Sequence, residues 1–592
     1  MPAIRVAALP SRLVNLVEDL RRKEDRLALL LSLVIGALVG LVVVAFILLT
    51  GRLAALIYPA GGAGWRRVLT PTLGALLSGY LLFKYFPLAR GSGIPQTRAA
   101  LFIHDGRISL RSVVGKFICC GISLASGIPL GREGPAVYIG SGLASAIAQR
   151  LGLTRVQVRS LIPVGGAAAL SAAFNTPIAA ILFSLEEIIG DLHAPVLGSV
   201  VIASATAWMV LHRVLGDSPL FHVAPYHLVS AGELGVYVVL GIVGGLTSVA
   251  FVKLLLWLRA QFARMPRASL WIQPVAGGLT VGILGFFVPQ VLGVGYDQVE
   301  RVLNGDVILK VVVVLAVLKI IATSVAYASG NAGGIFGPSL FIGSMIGATV
   351  GAVAHLVFPA STAGPGAYAL VGMGAAFAGI VRTPLTSVIM IFELTRDYTI
   401  IVPLMISNLI AFYISQKLQK VPIYEALAHQ DGLHLPTRVG AQLGVQRVSS
   451  AIREAPPSFS PETTIGEAAE RVKDSSLESW PVADELSLVG MVRTRHIESA
   501  MKKGRDDMTI ARLMQVARKS DGARYRELPH VHNDQPLSRA LARMGDTGHN
   551  VLPVVSRANA RIMLGVVTLT DILKAYGVER AEELDYTDHP DL

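Results

Sequence analysis

The chain has 592 residues, of which 53% are hydrophobic and only 16% charged, with a mean hydropathy of +0.58. Charged residues make up about a quarter of an ordinary globular domain, so a wholly soluble protein is excluded. The net charge of +12 has no basic patch interleaved with aromatics behind it, which argues against nucleic-acid binding; Lys- and Arg-rich cytoplasmic loops of a membrane protein account for it.

The basic stretch Arg21-Arg22-Lys23-Glu24-Asp25-Arg26 precedes the first apolar run and predicts a cytoplasmic N-terminus for segment 1–26. The run from Leu27 to Thr50 is long enough to span a bilayer, and too long for a signal peptide. Further apolar segments follow near 68–88, 111–127, 134–150, 160–173, 177–190, 195–215, 232–258, 271–290, 307–328, 337–358, 367–380, 385–395 and 400–418. Several fall short of the roughly 20 residues that a straight span needs, and many are interrupted by Gly-Pro or Thr-Pro. Short, broken helices in a membrane bundle point to a substrate site near the midplane. Cys119 and Cys120 are adjacent within an apolar run, which rules out a disulfide framework or a zinc spacing.

The chain also repeats itself. KFICCGISLASGIPLGREGPAVYIGS at 116–141 aligns without gaps on KIIATSVAYASGNAGGIFGPSLFIGS at 319–344, an offset of 203, with 11 of 26 positions identical. VGGAAALSAAFNTPIAAILFSLE at 164–186 aligns on VGMGAAFAGIVRTPLTSVIMIFE at 371–393, an offset of 207, so Thr176-Pro177 matches Thr383-Pro384 and Glu186 matches Glu393. Two related halves in one membrane domain, about 27–215 and 232–420, predict a transporter-type fold. After about residue 420 the character changes, and residues 440–592 carry charges in ordinary soluble proportion, which predicts a separate soluble domain. Trp480-Pro481-Val482 with the following LSLVGMVRTRHIESAM resembles Leu552-Pro553-Val554 with IMLGVVTLTDILKAY, each reading as strand, turn, strand and helix.

GSGIP at 91–95, GREGP at 131–135 and GGIFGP at 333–338 each place glycines and a proline before helix-forming residues. Proline suits the first helical turn, where its missing N–H is not needed, and glycine allows close backbone approach. The free N–H groups and positive dipole end make an anion site, which inside a membrane needs a partner. The Ser92 hydroxyl adds a donor. Glu133, a carboxylate at a helix start, can occupy the anion's own place and leave when protonated, acting as gate and proton carrier. Simpler readings stand beside these. Arg132 snorkels or pairs with a carbonyl. Lys116 and Lys319 read as snorkelling flanks. Glu186, Glu187 and Glu393 end apolar runs, where a solvated helix end is the plain account, above all for Glu393. Tyr424 is an interfacial tyrosine on position alone. An intramembrane enzyme lacks support: the apolar segments hold no His-Glu-x-x-His, Gly-x-Ser-x-Gly or Asp pair, and no metal site is expected.

Taken together, GSGIP, GREGP, GIFGP and a tyrosine after the last apolar run resemble, in order, the signature segments of the CLC family of chloride channels and chloride/proton exchangers, over roughly 27–430. The resemblance implies an all-α polytopic membrane domain, a CLC-type inverted repeat with broken helices, in a homodimer with one pathway per subunit. It implies chloride coordination by the Ser92 and Tyr424 hydroxyls and the Ile335 and Phe336 N–H groups, with Gly91, Gly93, Gly131, Arg132, Gly134 and Gly334 supplying the supporting backbone. Glu133 matches the gating glutamate. Glu187, second of a Glu-Glu pair after an Asn-x-Pro segment, matches the internal proton glutamate of exchanging members; a passive channel on the same fold stays open as the alternative. Serine at 92 implies chloride over nitrate. Two positions depart from the pattern: Gln96 stands where the family often has Glu, and Gly337 where some relatives have Ala. After a linker at 431–445, the tail resembles a cytoplasmic α/β pair of CBS domains, at 446–504 and 509–578, ahead of a terminal segment 579–592. In GVVTLTD, Thr568 and Asp571 match residues that contact a nucleotide ribose, whereas Arg493 and His496 replace them in the first motif, so at most one adenine-nucleotide half-site fits and a structural tail is favoured. The location implied is a bacterial inner membrane with both termini cytoplasmic.

Overall fold

The computed structural model describes residues 24–575, apart from 59–62, 218, 222, 224–225, 227–228, 307, 434–446, 454–457, 474–476, 485–486, 521–529, 548, 558 and 560–561. Residues 1–23 of the N-terminal segment, most of the expected linker and the terminal segment 579–592 lie outside the described residues. The chain separates into two units, Met1–Leu435 and Pro436–Leu592.

In the first unit the helices are α1 Glu24–Ile57, α2 Arg66–Lys84, α3 Ile94–Phe102, α4 Leu110–Ala125, α5 Glu133–Arg150, α6 Arg155–Phe174, α7 Pro177–Phe183 and α8 Leu197–Leu215. They continue as α9 Glu233–Ala263, α10 Gln273–Phe287, α11 Tyr296–Leu303, α12 Leu309–Ala328, α13 Phe336–Val357, α14 Pro365–Val381, α15 Pro384–Thr395, α16 Ile401–Leu418 and α17 Ile423–Gln430. Helices α1 to α8 match α9 to α16 one for one, and α17 stands outside the repeat. Local chemistry starts many of them. Proline opens α7, α14 and α15 within the first turn, where its missing N–H costs nothing. Thr154 and Gln157 form a reciprocal cap at the start of α6, as a Thr-x-x-Gln sequence allows.

Seven helices among the described residues are long and apolar enough to cross a membrane, and several others are shorter. Leu30, Leu33 and Val34 on α1 and Val313, Val314 and Val317 on α12 face outward, each at least 40% exposed. Water would not tolerate that apolar belt on a monomeric soluble protein. Small residues draw the interior together: α5 passes α6 where Gly140 meets Gly165, and α13 passes α14 at the repeat-equivalent Gly343 and Gly372.

The halves meet about a pseudo-two-fold axis. Gly131 and its repeat equivalent Gly334 form an antiparallel bridge, N–H to carbonyl in both directions at 2.6 and 2.7 Å. A residue paired antiparallel with its own equivalent places the axis between the two. The expected solvated ends at Glu186 and Glu393 are corrected here. Both Glu393 oxygens accept from Ile178 and Ala179 N–H at 3.0 and 2.7 Å, and Glu186 accepts from the Thr386 N–H and hydroxyl at 3.0 and 2.8 Å. Each glutamate caps the Thr-Pro helix of the other half, because a proline-started helix leaves orphan N–H groups that burial obliges something to satisfy.

The second unit holds two sheets. Strands β1 Ser479–Asp484 and β2 Ser487–Arg493 pair antiparallel. Strands β3 Val531–His532, β4 Val551–Val555 and β5 Met563–Thr568 form the other sheet, with β3 parallel and β5 antiparallel to β4. Around them lie α18 Ile465–Val472, α19 Thr494–Met501, α20 Ile510–Ser520, α21 Leu537–Thr547 and α22 Leu569–Ala575. Strand, turn, strand and helix thus occur twice. The two cores interleave along the chain: Val448 and Ala451 pack with Val531, Leu552 and Val567, while Ile510 and Leu513 pack with Phe459, Trp480 and Ile497.

Candidate functional site

Four helix N-termini, those of α3, α5, α13 and α17, carry the four sequence motifs. Gly93, at φ 105°, brings its loop so close that a Cβ there would stand 2.4 Å from the Gly134 carbonyl oxygen; only glycine fits such backbone. Gly134 in turn packs on Ser92 and Gly334. The loop before α3 is tied by Gln96, whose Oε1 accepts from the Gly93 N–H at 2.9 Å. A glutamine there closes the turn without adding charge.

Lys116 and Lys319 do not snorkel. Both are fully buried. The Lys116 ammonium donates to the Arg90 and Gly91 carbonyls at 3.3 and 2.8 Å. Lys319 donates to the Val291 and Gly293 carbonyls at 3.1 and 2.6 Å. They are equivalent clasps, one per half, each neutralising the outward-turned carbonyls of a glycine loop.

Glu133 is fully buried at the start of α5. One carboxylate oxygen accepts from the Gly337 N–H of α13 at 3.2 Å, and the other accepts from the Tyr296 hydroxyl. Arg132 Nε stands 3.9 Å away, while the rest of that guanidinium donates to the Ala173 carbonyl at 3.4 Å and lies over the Tyr296 ring; of its two simple readings, the carbonyl one holds. The carboxylate thus sits at the N-terminus of α13, where an anion is favoured. Ile335 and Phe336, the two residues that open α13, are buried there too.

Ser92 and Tyr424 are enclosed, and neither hydroxyl has a hydrogen-bond partner of ordinary geometry among the described residues. Tyr424 is no interfacial residue: it opens α17 in the interior, within electrostatic reach of Glu187, Tyr327 and Glu133. The Tyr327 phenol lies beside Ser92. Unpaired hydroxyls in so dry a place are costly, and an anion between them would take both. Glu187, fully buried on a π-helical turn at Ser184–Ile189, pairs with Arg98 Nη1 at 3.1 Å. Among the described residues no cluster of His, Cys, Asp or Glu suits a metal ion.

Three participants escaped the sequence reading: Tyr296, Arg98 and Tyr327. Tyr296 had a signal. GVGYDQ at 293–298 aligns on GSGIPQ at 91–96, an offset of 202, so the repeat extends one motif further than the longer alignments show. Arg98 follows GSGIP in the same short helix, but nothing local names its partner, 89 residues away.

The arrangement is that of an anion pathway through an inverted-repeat bundle, and the comparisons with known proteins agree. Residues 73–416 match the family model described as voltage gated chloride channel, and 448–503 and 525–578 match that of the CBS domain. The chain belongs to the voltage-gated chloride channel family and carries two CBS domains. The H(+)/Cl(-) exchange transporter ClcA of Salmonella arizonae is 33% identical over 422 residues, 69% of this chain and 89% of that protein. A slow cyanobacterial Cl-/H+ antiporter matches with a TM-score of 0.63 and 27% identity over 68% of this chain and 97% of that one. A eukaryotic CLC transporter shares the fold, with a TM-score of 0.63 at 19% identity, over 94% of this chain and 98% of that one.

Proposed function

We propose that the protein is a chloride/proton antiporter, with Glu133 as gate and proton carrier and Glu187 as the internal proton glutamate. The observation that carries this is the Glu133 carboxylate seated at the α13 N-terminus on the Gly337 N–H, in a place suited to an anion. Ionised, Glu133 closes the path. Protonated, it loses the charge that binds it there, and chloride takes its place. Ser92, Tyr424 and the Ile335 and Phe336 N–H groups hold the next anion inward. Glu187, like Glu133 within electrostatic reach of Tyr424, exchanges protons with Glu133. An anion moving one way and a proton moving the other share one carboxylate position, which couples them. Its work is transport rather than catalysis, and it uses no cofactor.

The second reading is a passive chloride channel on the same fold, favoured by one observation: Arg98 neutralises Glu187. Purified protein in liposomes separates the two. A chloride gradient is imposed, with the voltage held near zero by a potassium ionophore, and internal pH is recorded. Uphill proton movement is the expected result; chloride flux without it establishes the channel. In Glu133→Gln, chloride still moves and proton movement vanishes; proton pumping retained in that variant refutes the role of Glu133.

The same reading places the protein in a bacterial inner membrane with cytoplasmic termini, as a homodimer with one pathway per subunit. For the tail it favours a structural role. Thr568 and Asp571 bond to each other across the first turn of α22, at 2.6 Å between hydroxyl and carboxylate, and Asp571 pairs with Arg453, so both proposed ribose contacts are engaged. Arg493, in the other motif, donates to the Thr547 carbonyl at 2.9 Å. Calorimetry with ATP and AMP at about millimolar concentration tests this; heat of binding overturns the purely structural role.

A further inference from the structure

We infer that Tyr296 is the latch of the Glu133 gate, a positioning residue that holds the ionised carboxylate in the anion's place. The inference rests on the reading of Glu133 as the gate. The Tyr296 hydroxyl donates to one Glu133 oxygen while the Gly337 N–H takes the other. Two donors from separate elements therefore fix the carboxylate, and both belong to the second half of the repeat. The ring is itself held. It packs edge-on against Phe221 at 5.6 Å and under the Arg132 guanidinium at 5.5 Å. It follows directly on the Gly293-Val294-Gly295 loop, whose Gly293 carbonyl the buried Lys319 clasps at 2.6 Å.

Room for the phenol comes from a departure in the motif. At Gly337, where some relatives have alanine, a Cβ would stand 2.8 Å from Val294 Cγ1 and 3.0 Å from the Tyr296 hydroxyl oxygen. The glycine therefore makes space for the tyrosine. Away from Glu133, Tyr296 lines a cavity of about 560 Å³ together with Arg66, Arg67 and Asp297. It thus stands between Glu133 and a space whose two arginines favour an arriving anion.

The chemistry makes the latch responsive to protonation. A phenol donates strongly to a carboxylate and weakly to a neutral acid. When Glu133 takes a proton, its bonds to Tyr296 and Gly337 weaken together, and the side chain is free to leave. Besides Tyr296, the charged and titratable groups close to Glu133 are Arg132 and Tyr424. These two are unchanged in the test variants, so a change in pH response reports on the latch.

The test is chloride flux from liposomes holding the full-length wild type, Tyr296→Phe, Gly337→Ala, Glu133→Gln and Glu133→Gln/Tyr296→Phe, between about pH 5 and 7.5. Losing one charge-assisted bond raises flux at neutral pH roughly ten-fold in Tyr296→Phe and flattens activation by acid. Gly337→Ala, which displaces the phenol without removing it, shifts flux the same way. In the Glu133→Gln background, Tyr296→Phe changes flux by less than about two-fold, because no carboxylate is left to hold. Flux that responds to Glu133→Gln but not to Tyr296→Phe or Gly337→Ala overturns the latch alone. So does an equal response to Tyr296→Phe in both backgrounds. Wild-type flux that Glu133→Gln leaves unchanged overturns the gate and the latch with it.

Discussion

Replacing Arg98 by alanine should destabilise the membrane unit severely, and replacing Glu187 by glutamine as well should restore much of the loss. Arg98 is 2% exposed and Glu187 not at all, with nitrogen and oxygen 3.1 Å apart. At an effective dielectric of 20 that separation corresponds to an attraction of about 5 kcal/mol. The alanine variant leaves a carboxylate buried beside the hole that the guanidinium filled. Breaking one side of a buried pair costs about 3–5 kcal/mol, most of it the stranded charge. Arg98 Nε has no acceptor among the described residues, so the guanidinium's compensation comes chiefly from Glu187. Thermal unfolding of the full chain in mild detergent gives the ranking: wild type highest, Arg98→Ala lowest, Arg98→Ala/Glu187→Gln between and closer to wild type. If Arg98→Ala melts with the wild type, or the double variant falls by the sum of the two single losses, the pair is not coupled as described.

The reciprocal caps predict matched losses. Glu393→Ala and Glu186→Ala each strip the N-terminus of a Thr-Pro helix in the opposite half, and each should lower stability by about 1–2 kcal/mol; a neutral effect in either, read from the same thermal midpoints, would show that solvent supplies the cap. In the tail, burial pushes the Asp571 carboxyl up, but hydrogen bonds from Arg453 and Thr568 and the Arg453 charge outweigh it and hold it below the usual value. A carboxyl depressed in the folded state stabilises it above its unfolded value of about 3.9, and that contribution is lost as pH falls through the lower folded value. In Arg453→Ala the folded value moves back up, so this loss on acidification shrinks, measurable by urea unfolding of the full chain between about pH 3 and 6; an acid loss as large in the variant as in the wild type would refute the assignment.

The sequence by itself determined what depends on local pattern. Apolar length marked the spans, the Gly-Pro and Thr-Pro segments marked where helices start, and the offset of 203 marked two related halves. The helix-start chemistry of glycine, proline and a donor singled out Ser92 and Glu133 as candidates, whereas Ile335, Phe336 and Tyr424 came only from the resemblance to the family. Only the tertiary structure decided which side chains those starts face. Tyr296 reaches Glu133 across 163 residues, and Glu393 reaches the start of α7 across 215. The lysines that read as snorkelling flanks became interior clasps, and the glutamates that read as solvated ends became caps. The physical reason is one and the same. Folding two halves about a pseudo-two-fold axis brings each proline-broken helix end against the other half, and its unsatisfied backbone groups, far from water, take their partners from there.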